Sequence, residues 1–413
     1  MLGRRTVRLV AVLGTVALAA GACSSSAKTA STATSESPGS TAALSGDAAA
    51  INQIVLDHMK QNQLMAVIVR VTVDGKDVLT NAYGDSMTGV PATTNMHFRN
   101  GAVEISYVST AVLRLVDQKK LSLDDKVSKW RPDFPAADKI TLKMLLNMTS
   151  GYHDYVTDND FVNQFYANPW KNWTNAEKLA FPFSKPLLFE PGTNWNYAHT
   201  GYAVLSEVLA KATGKPMDQL LADEVLKPMG LKNTVASQTA AIPEPALHSF
   251  DPERRVALGI PAGTKFIEES TYWNPSWTLG DGQIETSDIV DMATTADAIG
   301  DGRLLSPASH HAQVDPNLLG FGAPLAGCPL CHTLDNKYNY GLGVVRTGNW
   351  LVQNPLFAGE GSIEANLPSK KLSIAIVATG TIGSFAADGS GPNWTTAIFQ
   401  DIAARMAPND LPG

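Results

Sequence analysis

The sequence predicts an α+β fold in which an antiparallel sheet draws strands from both ends of the chain, helices flank it, and a helical insertion separates the two halves. Three observations carry this. "LMAVIVRVTVDGKDVLTNAYG", Leu64 to Gly84, alternates apolar and polar residues on either side of Asp74-Gly75, which reads as two antiparallel strands joined by a tight turn. Three more strand-like runs, "YNYGLGVVRT", "SIEANL" and "KLSIAIVATG", lie near the other end. Between these groups the apolar residues recur at helical spacings instead.

Taken in order, the elements are as follows. A helix begins near Ala102, with Ile105, Val108, Val112, Leu115 and Val116 at spacings of three and four. "ITLKMLLNMTSG" predicts a short helix stopping at Gly151. In "NYAHTGYAVLSEVLAKATG", Tyr202, Leu205, Leu209 and Ala212 share a face and Gly214 ends the helix. Residues 235–280 are rich in Pro and Gly and give no periodicity. "TSDIVDMATTADAIG" predicts a helix capped by Thr286 or Ser287, and a closing helix spans Trp394 to Met406. No internal repeat is present. A cleft between sheet and insertion is the expected ligand site.

The 413 residues are 44% hydrophobic and 17% charged, enough for a sizeable core. Net charge is -7 and no basic run suits a phosphate backbone, which argues against nucleic-acid binding. At the N-terminus, Arg4, Arg5 and Arg8 precede the apolar stretch Leu9 to Ala20, too short to span a bilayer comfortably. Small residues then lead to Cys23. Residues 1–22 thus read as a lipoprotein signal peptide, with lipid on the Cys23 sulfur and the protein held at the outer face of the cell membrane. Residues 23–46, rich in Ser, Thr and Ala, read as a disordered tether. The folded domain is expected over 47–407, with 408–413 as a tail. "GCPLCH" holds the other two cysteines, Cys328 and Cys331; haem attachment and a zinc site are alternatives, and a disulfide in an oxidising compartment is the preferred reading. No metal and no cofactor are expected.

The landmarks "NMHFRNGAVEI", "LVDQKKLSLDDKVSKWRPDF", "TLKMLLNMTSGYHDY", "FEPGTNWNYAHTGYAVLSEVLAKATGKP", "VLKPMGLKNT", "GDGQIETSDI" and "YNYGLGVV" follow one another over roughly residues 50 to 405. Their order resembles the serine β-lactamase and penicillin-binding protein family, in its class C β-lactamase, D-alanyl-D-alanine carboxypeptidase and esterase branch. The resemblance implies the β-lactamase/transpeptidase-like fold. It also implies an S-x-x-K motif opening a helix, a Tyr-x-Asn motif, and a Lys or His before Gly near the last strands.

Phe98, Arg99 and Gly101 keep the frame of the first motif, but Ala102 stands at the serine position and Ile105 at the lysine position. Tyr197 keeps the second motif's tyrosine and His199 replaces its asparagine. The third should fall in Asn354 to Ser362, where there is no Lys or His and Phe357 or a neighbour takes the place. The expected function is therefore a lipid-anchored envelope protein that binds a cell-wall peptide, small molecule or protein without forming an acyl-enzyme. The alternative is a hydrolase with a relocated nucleophile, Ser106, one turn beyond Ala102, or with a Tyr197–His199 proton-transfer pair; Ser109 lies further along and Ser150 sits in a structural turn. Tyr197 and His199, at i and i+2, need not face each other. Glu104 suits a helix N-terminus. Glu285, Glu360 and Glu364 are expected at the surface, with a cationic ligand as their functional alternative. Trp170, Trp173, Trp273 and Trp277 are read as local core rather than groove.

Overall fold

The computed structural model describes residues 44–237, 239–315 and 318–413. The signal peptide, Cys23 and all but the end of the tether lie outside the described residues. The five longest helices among these residues are α1 (Gly46–Asn62), α2 (Val103–Asp117), α3 (His199–Thr213), α4 (Ile289–Asp301) and α5 (Trp394–Met406). The main sheet has nine strands: β1 (Leu64–Val73), β2 (Lys76–Met87), β3 (Val90–Pro91), β4 (Asn339–Tyr340), β5 (Val345–Thr347), β6 (Trp350–Gln353), β7 (Leu356–Phe357), β8 (Glu360–Leu367) and β9 (Leu372–Gly380).

The spatial order is β3-β2-β1-β9-β8-β6-β5-β4, with β7 pairing β8, so strands from the two chain ends meet at the β1–β9 seam. There Val69 lies opposite Ile376, which lies opposite Ile363 on β8, all antiparallel. The β1–β2 turn uses Asp74 and Gly75 at positive φ, as a two-residue hairpin of this twist requires. Every residue of β8 and β9 is buried, so both faces of the sheet are covered there. α1 and α5 touch each other and lie on the sheet; α4 packs on β1, β8 and β9.

Helix α2 is buried nearly all round, through Leu113 and Leu115, which makes it the central post between sheet and insertion. Phe98–Arg99, just before it, pairs with Glu285–Ser287, which also pairs with Val235–Ala236. This small sheet corrects one expectation: Thr286 and Ser287 are strand residues, and the cap of α4 is Asp288, whose side chain accepts from Asp291 N at 2.8 Å. The short helix after Ile140 is also briefer than its sequence predicts. It spans Leu142–Leu146, because Met148 then takes φ of 66° and the chain turns away. Cys328 and Cys331 form a disulfide.

Candidate functional site

A cavity of about 550 Å³ opens between the insertion and the sheet. Ala102 lines it from the start of α2, Phe165, Tyr166 and Trp277 from the insertion, and Gln353 and Phe357 from the sheet side. Gly101 lets this junction close: at φ of 52°, a Cβ there would lie 2.5 Å from Cβ of Pro355, in the link between β6 and β7. The start of α2 is thereby pressed against the segment where the third motif was expected. Phe357 stacks on Trp277 in that wall, with ring centroids 5.6 Å apart.

Ala102 presents a methyl to the cavity. Ile105, one turn on, is fully buried and belongs to the core. Ser106 is also fully buried and is not among the cavity's lining residues. Its hydroxyl donates to the Val103 carbonyl at 2.7 Å, and it borders a separate void of about 10 Å³. Ser109 donates to the Leu342 carbonyl and is buried as well. Of the tryptophans, Trp173 and Trp273 are core, Trp277 lines the cavity, and Trp170 is 54% exposed beneath the Arg254 guanidinium.

Tyr197 and His199 both line the cavity and they meet, which their i, i+2 spacing did not require: their rings stand edge to face with centroids 5.4 Å apart. The extended backbone of Ala198, which opens α3, turns the two side chains to one side. His199 Nδ1 lies 3.0 Å from a carboxylate oxygen of buried Asp154, which also accepts the His199 backbone N–H at 3.1 Å. This pair holds the imidazole with its other nitrogen free of that contact. Burial, then the neighbouring Tyr338 and Tyr202, then Asp154, raise the Tyr197 phenol well above its ordinary value, so it is a hydrogen-bond donor rather than a phenolate near neutral pH.

Sequence reasoning missed two partners here. Asp154 lies 45 residues from His199 and only the fold joins them. Glu253 lines the cavity and accepts a hydrogen bond from Tyr166, but it comes from the aperiodic stretch and carries no sequence signal. It keeps some accessible surface, yet the surrounding atoms of the cavity wall push its carboxyl up to about 7.

The remaining acids overturn the surface expectation. Glu285, Glu360 and Glu364 are buried, as is Glu104, and none lines the cavity. Glu104 Oε1 accepts the Glu285 backbone N–H at 2.7 Å. The Asn100 amide, oriented to satisfy both, donates to Glu104 Oε1 at 2.9 Å and to the Glu285 carbonyl at 3.0 Å. Burial raises all four carboxyls well above the ordinary range. Arg99 opposes that for Glu104 and Glu360, while the Glu104 charge adds to it for Glu285.

Two curated relatives illustrate the sequence likeness. Penicillin-binding protein 4* of Bacillus subtilis (strain 168) is 28% identical over 182 residues, 42% of this chain and 39% of that protein. Esterase EstB of Burkholderia gladioli is 28% identical over 199 residues, 45% of this chain and 50% of that protein. The chain thus spans half or less of these relatives' length. Among solved structures, the D-amino acid amidase of Ochrobactrum anthropi SV3 complexed with D-phenylalanine superposes with a TM-score of 0.71 at 22% identity, over 88% of this chain and 99% of that one. The octameric penicillin-binding protein homologue from Pyrococcus abyssi gives 0.68 at 17%, over 89% and 80%. Both likenesses establish the fold. The Beta-lactamase family model matches residues 51–391. By fold and by that match, the chain belongs to the beta-lactamase family of serine hydrolases of β-lactamase and penicillin-binding type.

Proposed function

We propose that this chain is a binding protein built on a hydrolase fold: it holds a ligand in the old catalytic cleft and does not form a serine acyl-enzyme. One observation carries the reading. Among the described residues lining the cavity there is no serine, cysteine or lysine. A methyl at Ala102 cannot attack a carbonyl, and Ile105 can neither take nor give a proton. The cavity nevertheless stays open at a volume suited to a small ligand. Intact mass after incubation with a penicillin and, separately, a fluorophosphonate tests this. Unchanged mass is expected, and a covalent adduct would overturn the reading.

The anchor belongs to the same proposal. The signal, Cys23 and the tether would hold the domain at the outer face of the cell membrane, near cell-wall peptides. Palmitate labelling that persists in Cys23→Ser would refute it. A second reading, an active hydrolase, is favoured by the Asp154–His199 pair, which could orient an imidazole as a base toward a cavity water. Hydrolysis of an ester or amide, lost in His199→Ala without loss of fold, would decide for it.

A further inference from the structure

Among the described residues, Glu253 is the only Asp or Glu lining the cavity, and no lysine or arginine lines it alongside. Its own neighbours turn elsewhere. Arg254 pairs with Glu268 at 2.9 Å and donates to the Tyr166 carbonyl. Arg255 donates to the carbonyls of Ala387, Pro261 and Thr264. Glu253 is therefore left with the Tyr166 hydroxyl and without an ion pair among the described residues. An enclosed carboxylate with no counter-charge is unfavourable, and its raised carboxyl reflects that.

The wall beside it is aromatic and continuous. Tyr166 meets Phe165 at 5.0 Å between centroids, Phe165 meets Trp277 at 4.8 Å, and Trp277 meets Phe357 at 5.6 Å. Ring faces attract a cation electrostatically and also cover apolar surface. A carboxylate-bearing ligand finds the opposite: repulsion from Glu253 and, among the described lining residues, no lysine or arginine to hold it.

We propose that the cavity selects a small organic cation, an amine with an aromatic or apolar body, whose ammonium pairs with Glu253 while the Tyr166–Phe165–Trp277–Phe357 wall covers the body. This rests on the binding reading above and names its ligand class. It gives Glu253 the role that the sequence suggested for Glu285, Glu360 and Glu364, which the fold seals away from the cavity.

The test is calorimetric titration of the purified full chain, at a mildly alkaline pH, with three probes of similar shape: phenethylamine, phenethyl alcohol and phenylpropionate. The amine is expected to bind about tenfold or more tighter than phenylpropionate, and tighter than the alcohol. In Glu253→Gln the amine's advantage is expected to vanish while the alcohol binds as before, which also shows the variant to be folded. An amine no tighter than the alcohol overturns the inference. So does a preference that survives in the variant, and so does the absence of binding by all three probes. The parent reading fails on a different readout, the fluorophosphonate adduct, so the two failures are distinguishable.

Discussion

Ala102 and Glu104 stand two residues apart at the start of α2 and face opposite surroundings. Ala102 borders an open cavity from which serine, cysteine and lysine are absent among the described residues. Glu104 lies in a sealed cluster with Glu285, Glu360 and Arg99, where burial holds each carboxyl above its ordinary range. Among the described residues, serine, cysteine and lysine are missing where water and ligand can reach, while carboxyls occur on both sides, as Glu253 at the cavity and as Glu104, Glu285 and Glu360 in the sealed cluster. With Asn100, Glu104 ties the loop before α2 to the strand at Glu285. The sealed side thus builds the frame, and the open side presents the Ala102 methyl to the cavity.

This contrast can be broken at either end. The largest effect is expected from Ile105→Lys, which puts an ammonium into a fully buried core position: about 3–5 kcal/mol of destabilisation by denaturant titration, as for an uncompensated buried charge. A loss near zero would mean that position 105 opens to the cavity after all.

Glu285→Gln should act in the other direction near neutral pH, by about 1 kcal/mol or more, because it removes a carboxyl whose ionisation burial and the Glu104 charge oppose, each pKa unit being worth ~1.4 kcal/mol. Among the described residues neither Glu285 carboxyl oxygen has a hydrogen-bond partner, and the folded state raises this carboxyl above its unfolded value near 4.5. Stability from the protonated form is therefore complete below about pH 4.5 and is lost as pH climbs toward the raised folded value. Thermal melts across this range should show the variant gaining on the natural protein as pH rises and little difference in acid. A variant that is less stable at every pH would contradict this account of the cluster.

Ala102→Ser should have the smallest effect, within about 0.5 kcal/mol, because position 102 faces the cavity and has room for a hydroxyl. A larger loss would place Ala102 in packing rather than at an open wall.

Several of these features were legible in the sequence. The Asp74-Gly75 hairpin, the closing helix and the pairing of Cys328 with Cys331 follow from local chemistry, and local chemistry is what a sequence displays. Ala102 and Ile105, at the positions where the family resemblance implies Ser and Lys, were legible because Phe98, Arg99 and Gly101 carry that resemblance. The burial of Glu360 and Glu364 was not. In "EGSIEANL" a polar residue in a strand suggests an outer face, but β8 is covered on both sides, so the alternation rule does not apply. The His199–Asp154 contact and the position of Glu253 depend on segments far apart in the chain, and the stretch that carries Glu253 has no period to read.

The measurement that bears most directly on the central claim is the intact mass of the full chain after prolonged exposure to a fluorophosphonate, beside a serine-active member of the family as positive control. The account expects the control to gain the adduct while this chain keeps its mass. An adduct on this chain, with peptide mapping to any residue of the cavity, would contradict the claim that the open side of α2 has lost its nucleophile.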